Sequence, residues 1–144
     1  MSLVYFDSSA LVKLVVEEPG SDLVAELWDG CDAALSSRLA YPEVRAALAA
    51  AARNHDLDED GLAAAKLAWE EFWGAVRPVE LTAELERVAG ELSEQHALRG
   101  ADAVHLASAL VVHAPDLLVA VWDGRLRAGG TAAGLAIVPA RLGS

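Results

Sequence analysis

Four acidic side chains stand where this chain changes from one element to the next. Asp7 follows the apolar run Val4-Tyr5-Phe6, and Asp123 follows a longer apolar run over residues 117–122. Asp102 comes directly after Arg99-Gly100-Ala101, at the start of a very apolar helical stretch. Glu43 stands beside Pro42, otherwise among Leu39, Ala40, Val44 and Ala47. Acids that directly follow the strands of an open parallel sheet reach the crevice where such sheets bind ligands. Brought together there, carboxylates repel one another unless something positive sits between them. Each acid also has a purely local use. Asp7 can cap a helix, Asp102 can favour a positive helix N-terminus by roughly 0.3–1 kcal/mol, Glu43 can be a surface acid in a first turn, and Asp123-Gly124 can be a turn signal. It is their joint placement, at element ends and among apolar neighbours, that marks them as one candidate site.

The elements that must position these acids alternate strand and helix. Leu3–Phe6 reads as a strand, and Ser8 or Ser9 caps a helix that Pro19 stops. A second helix runs over residues 21–28, and Ala33-Ala34-Leu35-Ser36 is a short strand. Ser37 then opens a long helix to about Asn54, with Pro42 in its first turn. Asp58 or Asp60 caps the next helix, where Leu62, Ala65, Trp69, Phe72, Trp73 and Val76 fall at helical spacing. Pro78-Val79-Glu80-Leu81 is extended, Thr82 caps a helix to about Leu98, and residues 101–113 form another. Residues 117–122 have the continuous apolar pattern of a strand buried on both faces. A short helix from about Arg125 and the strand Leu135-Ala136-Ile137-Val138 complete the chain. This alternation predicts one α/β domain over residues 1–144, a three-layer α/β/α arrangement around a mainly parallel central sheet.

Composition narrows the function. The 144 residues are 54% hydrophobic, which excludes a largely disordered chain. Acids outnumber bases 22 to 11, for a formal charge of −11. That excess argues against a passive nucleic-acid binder, which gains affinity from a basic face. It equally disfavours a chain held on anionic lipid by charge. It leaves open an enzyme that handles phosphates through a bound metal. Cys31 is the single cysteine, so neither an intrachain disulfide nor a multi-cysteine metal motif is available. Asp7 and Lys13 interrupt the apolar residues 1–16, which fit no leader pattern, and no uncharged run is long enough to span a membrane. A cytoplasmic location is the expectation.

Four stretches resemble one known family in order and spacing. Tyr5-Phe6-Asp7-Ser8-Ser9-Ala10-Leu11-Val12-Lys13-Leu14 looks like the opening motif of PIN-domain nucleases, and especially of VapC-type toxins of bacterial toxin–antitoxin pairs. Glu43 in Ala40-Tyr41-Pro42-Glu43-Val44 matches the second acid. Residues 98–109, Leu-Arg-Gly-Ala-Asp-Ala-Val-His-Leu-Ala-Ser-Ala, match the third, and Val121-Trp122-Asp123-Gly124-Arg125-Leu126 the fourth. The resemblance covers nearly the whole chain. The family often has Thr or Ser two positions before the fourth acid, where this chain has Val121.

The resemblance implies a PIN-like fold and metal-dependent hydrolysis of RNA phosphodiester bonds. Carboxylates are hard oxygen ligands suited to Mg²⁺ or Mn²⁺. Asp7 and Asp102 are the expected principal ligands, with Glu43 and Asp123 acting through bound water or a second metal position and Ser9 supporting Asp7. Arg99 is the first candidate for a phosphate contact, with Arg125 and Lys13 beside it and Arg38 and Arg45 as further nearby cations. The expected partners are the RNA substrate, a cognate antitoxin protein and a second copy of the chain. His96, His105 and His113 form no His-x-x-x-His pair and read as ordinary structural histidines. The Trp69, Phe72 and Trp73 stripe reads as core or protein interface rather than a base-stacking platform. Two other functions share parts of the pattern. One is a PIN-like module that binds without cutting, which Val121 favours. The other is an enzyme that phosphorylates Asp7, which is disfavoured because Ser9 stands where haloacid-dehalogenase-like phosphatases carry a second Asp.

Overall fold

The computed structural model describes residues 2–143, and its centre is the strand that precedes Asp7. Five strands form one sheet, β1 (Leu3–Phe6), β2 (Ala33–Ser37), β3 (Val76–Val79), β4 (Leu118–Ala120) and β5 (Ala136–Val138), in the order β3-β2-β1-β4-β5. Every pairing is parallel. The chain first adds strands on one side of β1 and then on the other, so β1 and β4 flank the point where strand order reverses. Ligand crevices of open α/β sheets lie at that point, beyond the carboxyl ends of the strands.

Among the described residues, seven helices cover the sheet: α1 (Ser8–Val15), α2 (Ser21–Gly30), α3 (Ala40–Arg53), α4 (Glu59–Ala75), α5 (Ala83–Gln95), α6 (Gly100–Val111) and α7 (Gly124–Ala132). Side chains alternate across a strand, and β1 divides accordingly. Val4 and Phe6 join a core with Leu11, Val24, Val44, Leu48 and Trp69 from α1–α4. Tyr5 points the other way, into a core with Leu85, Leu92, Leu106, Val119, Val121 and Leu126, which include residues of α5, α6 and α7. This is the three-layer α/β/α architecture expected. Trp69 is wholly buried, and Trp28 meets Phe72 edge-on with ring centroids 5.2 Å apart. The aromatic stripe of α4 therefore packs inward.

Several boundaries differ from the sequence reading, each for a pairing or backbone reason. Ser37 does not open α3. It ends β2, held by its register with Val79, and its Oγ accepts from the Leu39 amide. The cap of α1 is Asp7 rather than Ser8 or Ser9. β3 starts at Val76 because it pairs with Ala34, and Pro78 is tolerated there because β3 is an edge strand. β4 is only three residues long, since β1 beside it ends at Phe6, the partner of Ala120. α5 stops at Gln95 and α6 at Val111, before the left-handed residues Ala97 (φ 52°) and His113 (φ 51°). The Asp58 and Thr82 caps are formed as expected, their side chains accepting from the Gly61 and Leu85 amides.

Burial separates two neighbouring residues of α4. Trp69→Ala is expected to cost about 3–5 kcal/mol by removing a fully enclosed ring. Leu67→Ala, at a position 70% exposed, should stay within about 0.5 kcal/mol. Urea denaturation of the two variants measures both, and equal midpoint shifts would contradict this packing.

Candidate active site

Each of the four acids reaches one pocket from the start of a different helix. Asp7 leaves the end of β1 and caps α1, Glu43 lies in the first turn of α3, Asp102 in the first turn of α6, and Asp123 caps α7 just beyond β4. All four line a cavity of about 290 Å³ together with Ser8, Ser9, Arg99, Ala101 and His105. A larger apolar cavity of about 440 Å³ lies elsewhere, against Leu85, Val88 and Leu110, and gathers no comparable set of acids. The convergent carboxylates, not cavity size, identify the site.

Their hydrogen bonds show how the fold holds so much negative charge. Asp7 Oδ1 accepts from Ser9 Oγ at 2.6 Å and from the Ala10 amide at 3.0 Å. Ser9 Oγ in turn accepts from the Trp122 amide at 3.1 Å, which ties Asp7 to the chain just after β4. Asp123 Oδ1 accepts from the Arg125 and Leu126 amides at 3.1 and 3.0 Å. Arg99 bridges two acids, its Nε donating to Asp102 Oδ2 at 3.1 Å and its Nη2 to Asp123 Oδ2 at 3.0 Å. The Asp102 bond, then the charges of Asp102 and Asp123, hold the guanidinium above its ordinary range. Glu43 Oε1 lies 2.7 Å from His105 Nε2.

The sequence-predicted residues divide clearly. Asp7, Glu43, Asp102, Asp123, Ser9 and Arg99 are brought together. Arg125 lies two residues after Asp123 and is exposed, and it is its backbone amide that donates to that acid. Lys13 does not line the pocket. It sits two turns along α1 from Asp7, binds Glu18 at 2.9 Å and the Pro19 carbonyl at 2.8 Å, and lies over the Trp122 ring. Arg38 and Arg45 pair instead with Glu80 and Glu70. His105 is the residue the sequence reading undervalued, since it lines the pocket and contacts Glu43. Its place three residues after Asp102, on the same helix face, was the signal available. Val121 is fully buried in the α5–α7 core, so a methyl group fills a packed site there, and Ser9 supplies a hydroxyl that donates to Asp7.

The donor set suits a hard divalent cation with a largely water-filled shell. Four carboxylates face one guanidinium, which pairs with Asp102 and Asp123 and leaves Asp7 and Glu43 without one. Among the described residues, no three acid, histidine or cysteine side chains converge into a ready-made metal cage. Arg99 occupies one oxygen each of Asp102 and Asp123, which keeps the set open. Mg²⁺ usually retains several waters and needs only one or two protein carboxylates, so an open acidic pocket fits it better than a closed one would.

Burial pushes the Asp7 carboxyl from its ordinary value of 3.8 up to about 6, with Glu43 adding repulsion and His105, Ser9 and the Ala10 amide opposing. The folded chain therefore holds this proton more tightly than the unfolded chain does. Stability from this group is fully present below about pH 4 and is lost as pH rises through about 6. The full effect is about 3 kcal/mol, from roughly two pKa units. Without divalent metal, Asp7→Asn should gain stability relative to the parent chain as pH rises from 4 to 7, since Asn still caps a helix. Urea denaturation in chelator across that range measures it, and a constant difference would contradict the buried-charge account.

Comparison with known proteins agrees with this geometry. The PIN domain family matches residues 4–127. Ribonuclease VapC45 and Ribonuclease VapC49 of Mycobacterium tuberculosis are each 69% identical over 142 residues, covering 99% of both chains. Ribonuclease VapC46 of the same species is 32% identical, over 96% of this chain and 98% of its own. The fold resembles the crystal structure of the sarcin-ricin-loop-cleaving toxin VapC20 of M. tuberculosis, with a TM-score of 0.67 and 20% identity over 92% of this chain and 96% of that one. It also resembles VapBC2 of Rickettsia felis, solved with a promoter DNA fragment, with a TM-score of 0.63 and 11% identity over 94% and 96%. Four acids converging beyond the central strands, and relatives matched from end to end, make the chain a member of the PIN-domain family, among the VapC ribonucleases.

Proposed function

We propose that this chain is a cytoplasmic, single-domain endoribonuclease that depends on Mg²⁺ or Mn²⁺ and serves as the toxin of a toxin–antitoxin pair. The observation that carries the reading is the meeting of Asp7, Glu43, Asp102 and Asp123 in one pocket at the reversal of strand order. Asp7 and Asp102 are the residues to hold the cation directly. When bound, it supplies charge neutralisation among the acids, acidifies water and stabilises charge on the phosphoryl group.

The remaining residues have separable tasks. Glu43 stands clear of Arg99, with Oε1 tethered by His105, and aligns the attacking water. Ser9 fixes the orientation of Asp7, and Asp123 supports the cation through water. Arg99 is 64% exposed and becomes available to the scissile phosphate once its carboxylate partners are otherwise neutralised. Arg125, exposed beside Asp123, extends that cationic path for the RNA backbone. The acidic surface excludes tight non-specific RNA binding, so substrate contact depends on these few arginines.

An antitoxin protein and a second copy of the chain are the partners we assign. Two apolar hollows meet at Tyr41 and Pro42 and suit a protein segment, one lined by Leu39, Trp73 and Leu81 and the other by Ala46, Ala49 and Leu62. Among the described residues, no helix is long and apolar enough to cross a membrane.

Cleavage of a structured RNA, with Mn²⁺ or Mg²⁺ added after chelator treatment, tests the activity. Asp7→Asn and Asp102→Asn should each lose about 100-fold or more in rate while keeping the parent circular dichroism spectrum. Full activity of both variants, or undiminished cleavage in chelator, would overturn the reading.

A further inference from the structure

Tyr5 lies in the middle of the central strand, wholly buried, among Leu106, Val119 and Val121. A phenylalanine would fill that apolar space equally well, so the hydroxyl needs its own reason. Its partner is His105 Nδ1, at 2.7 Å, and the two rings meet edge-on at 5.9 Å. The other imidazole nitrogen, Nε2, is the one 2.7 Å from Glu43 Oε1. A continuous chain therefore runs from β1 through α6 to α3. It joins the two helix layers across the carboxyl edge of the sheet.

Proton placement along this chain is constrained. A neutral imidazole carries one N–H, on one nitrogen or the other. With that hydrogen on Nδ1, a bare Nε2 would face a carboxylate oxygen at 2.7 Å, lone pair against lone pair. With it on Nε2, Nδ1 needs a donor, and the Tyr5 hydroxyl is in place to be one. Burial holds the phenol well above its ordinary value near 10, so the hydroxyl keeps its proton to give.

We propose that Tyr5 is a positioning residue for the acid pocket, bonded to His105 Nδ1 so that the ring is held with its Nε2–H aimed at Glu43 Oε1. An N–H donor whose ring is held from behind by Tyr5 fixes the angle of the Glu43 carboxylate. Glu43 is otherwise a flexible side chain at a helix start. Among the described residues it makes no other side-chain hydrogen bond. The catalytic consequence rests on the ribonuclease reading above, while the hydrogen-bond pattern does not.

Long-range ¹H–¹⁵N imidazole spectra of the full chain without metal at pH 7.5 test the pattern directly, with His105→Gln used to assign the signal among the 4 histidines. The parent chain should show His105 carrying a proton on Nε2. Tyr5→Phe should show both tautomers and lose about 10-fold in kcat with KM unchanged, as loss of a partner that orients a metal-site group does. His105→Gln, which keeps an N–H near the Nε2 position, should retain more activity than His105→Leu. A parent spectrum with the His105 proton on Nδ1 and none on Nε2 overturns the proposal. So does a Tyr5→Phe variant unchanged in both tautomer and kcat. A parent chain that cleaves no RNA counts against the ribonuclease reading instead, and the spectrum still decides the proton's place.

Discussion

Repulsion among carboxylates governs this molecule's functional end. Four of them share a pocket with a single guanidinium, and Asp7 is almost completely withdrawn from water. Its carboxyl is pushed up to about 6 even though a serine hydroxyl and a backbone amide both donate to it. Those bonds favour the charged form, so burial must outweigh them for the net shift to be upward. The pocket is thus poised to bind positive charge, because any cation that enters relieves a cost already built into the fold. Arg99 relieves part of it, on Asp102 and Asp123, and leaves Asp7 and Glu43 without a guanidinium.

The scaffold tolerates this arrangement because the acids also do structural work. Asp7 caps α1 and Asp123 caps α7, while Glu43 and Asp102 lie in the first turns of α3 and α6. Four helix N-termini therefore converge where four carboxylates do. Each positive end offsets roughly 0.3–1 kcal/mol of unfavourable charge. The local use of each acid and its membership in a site are not rival accounts, since the same side chain serves both. Reversal of strand order between β1 and β4 opens the crevice into which the helix starts point.

Much of this was legible in the sequence because it is local. An acid directly after an apolar run reports a strand end, which located Asp7 and Asp123, and Arg99 three residues before Asp102 is a helical pair visible by spacing. What spacing could not show is tertiary. Tyr5, Glu43 and His105 are separated by up to 100 residues, yet two hydrogen bonds join them. Arg99 reaches Asp123 across 24 positions. Lys13 misled because closeness in sequence to Asp7 is undone by the turn of α1, which carries it to Glu18 and Trp122. The start of α3 misled because Ser37 resembles a cap, and only its pairing with Val79 reveals a strand. The lone Val121 reads as a missing hydroxyl in sequence and as a packed core residue in the fold.

On the proposed function, a divalent cation would complete the buried Asp7. Calorimetric titration of the chain with Mn²⁺, in buffers of different ionisation enthalpy, measures the protons released on binding. With the Asp7 carboxyl near 6, binding at pH 6 should release about half a proton, falling to almost none at pH 8. Asp7→Asn should remove the release. Mn²⁺ binding with no proton release at pH 6, or the same release from Asp7→Asn, would contradict the account.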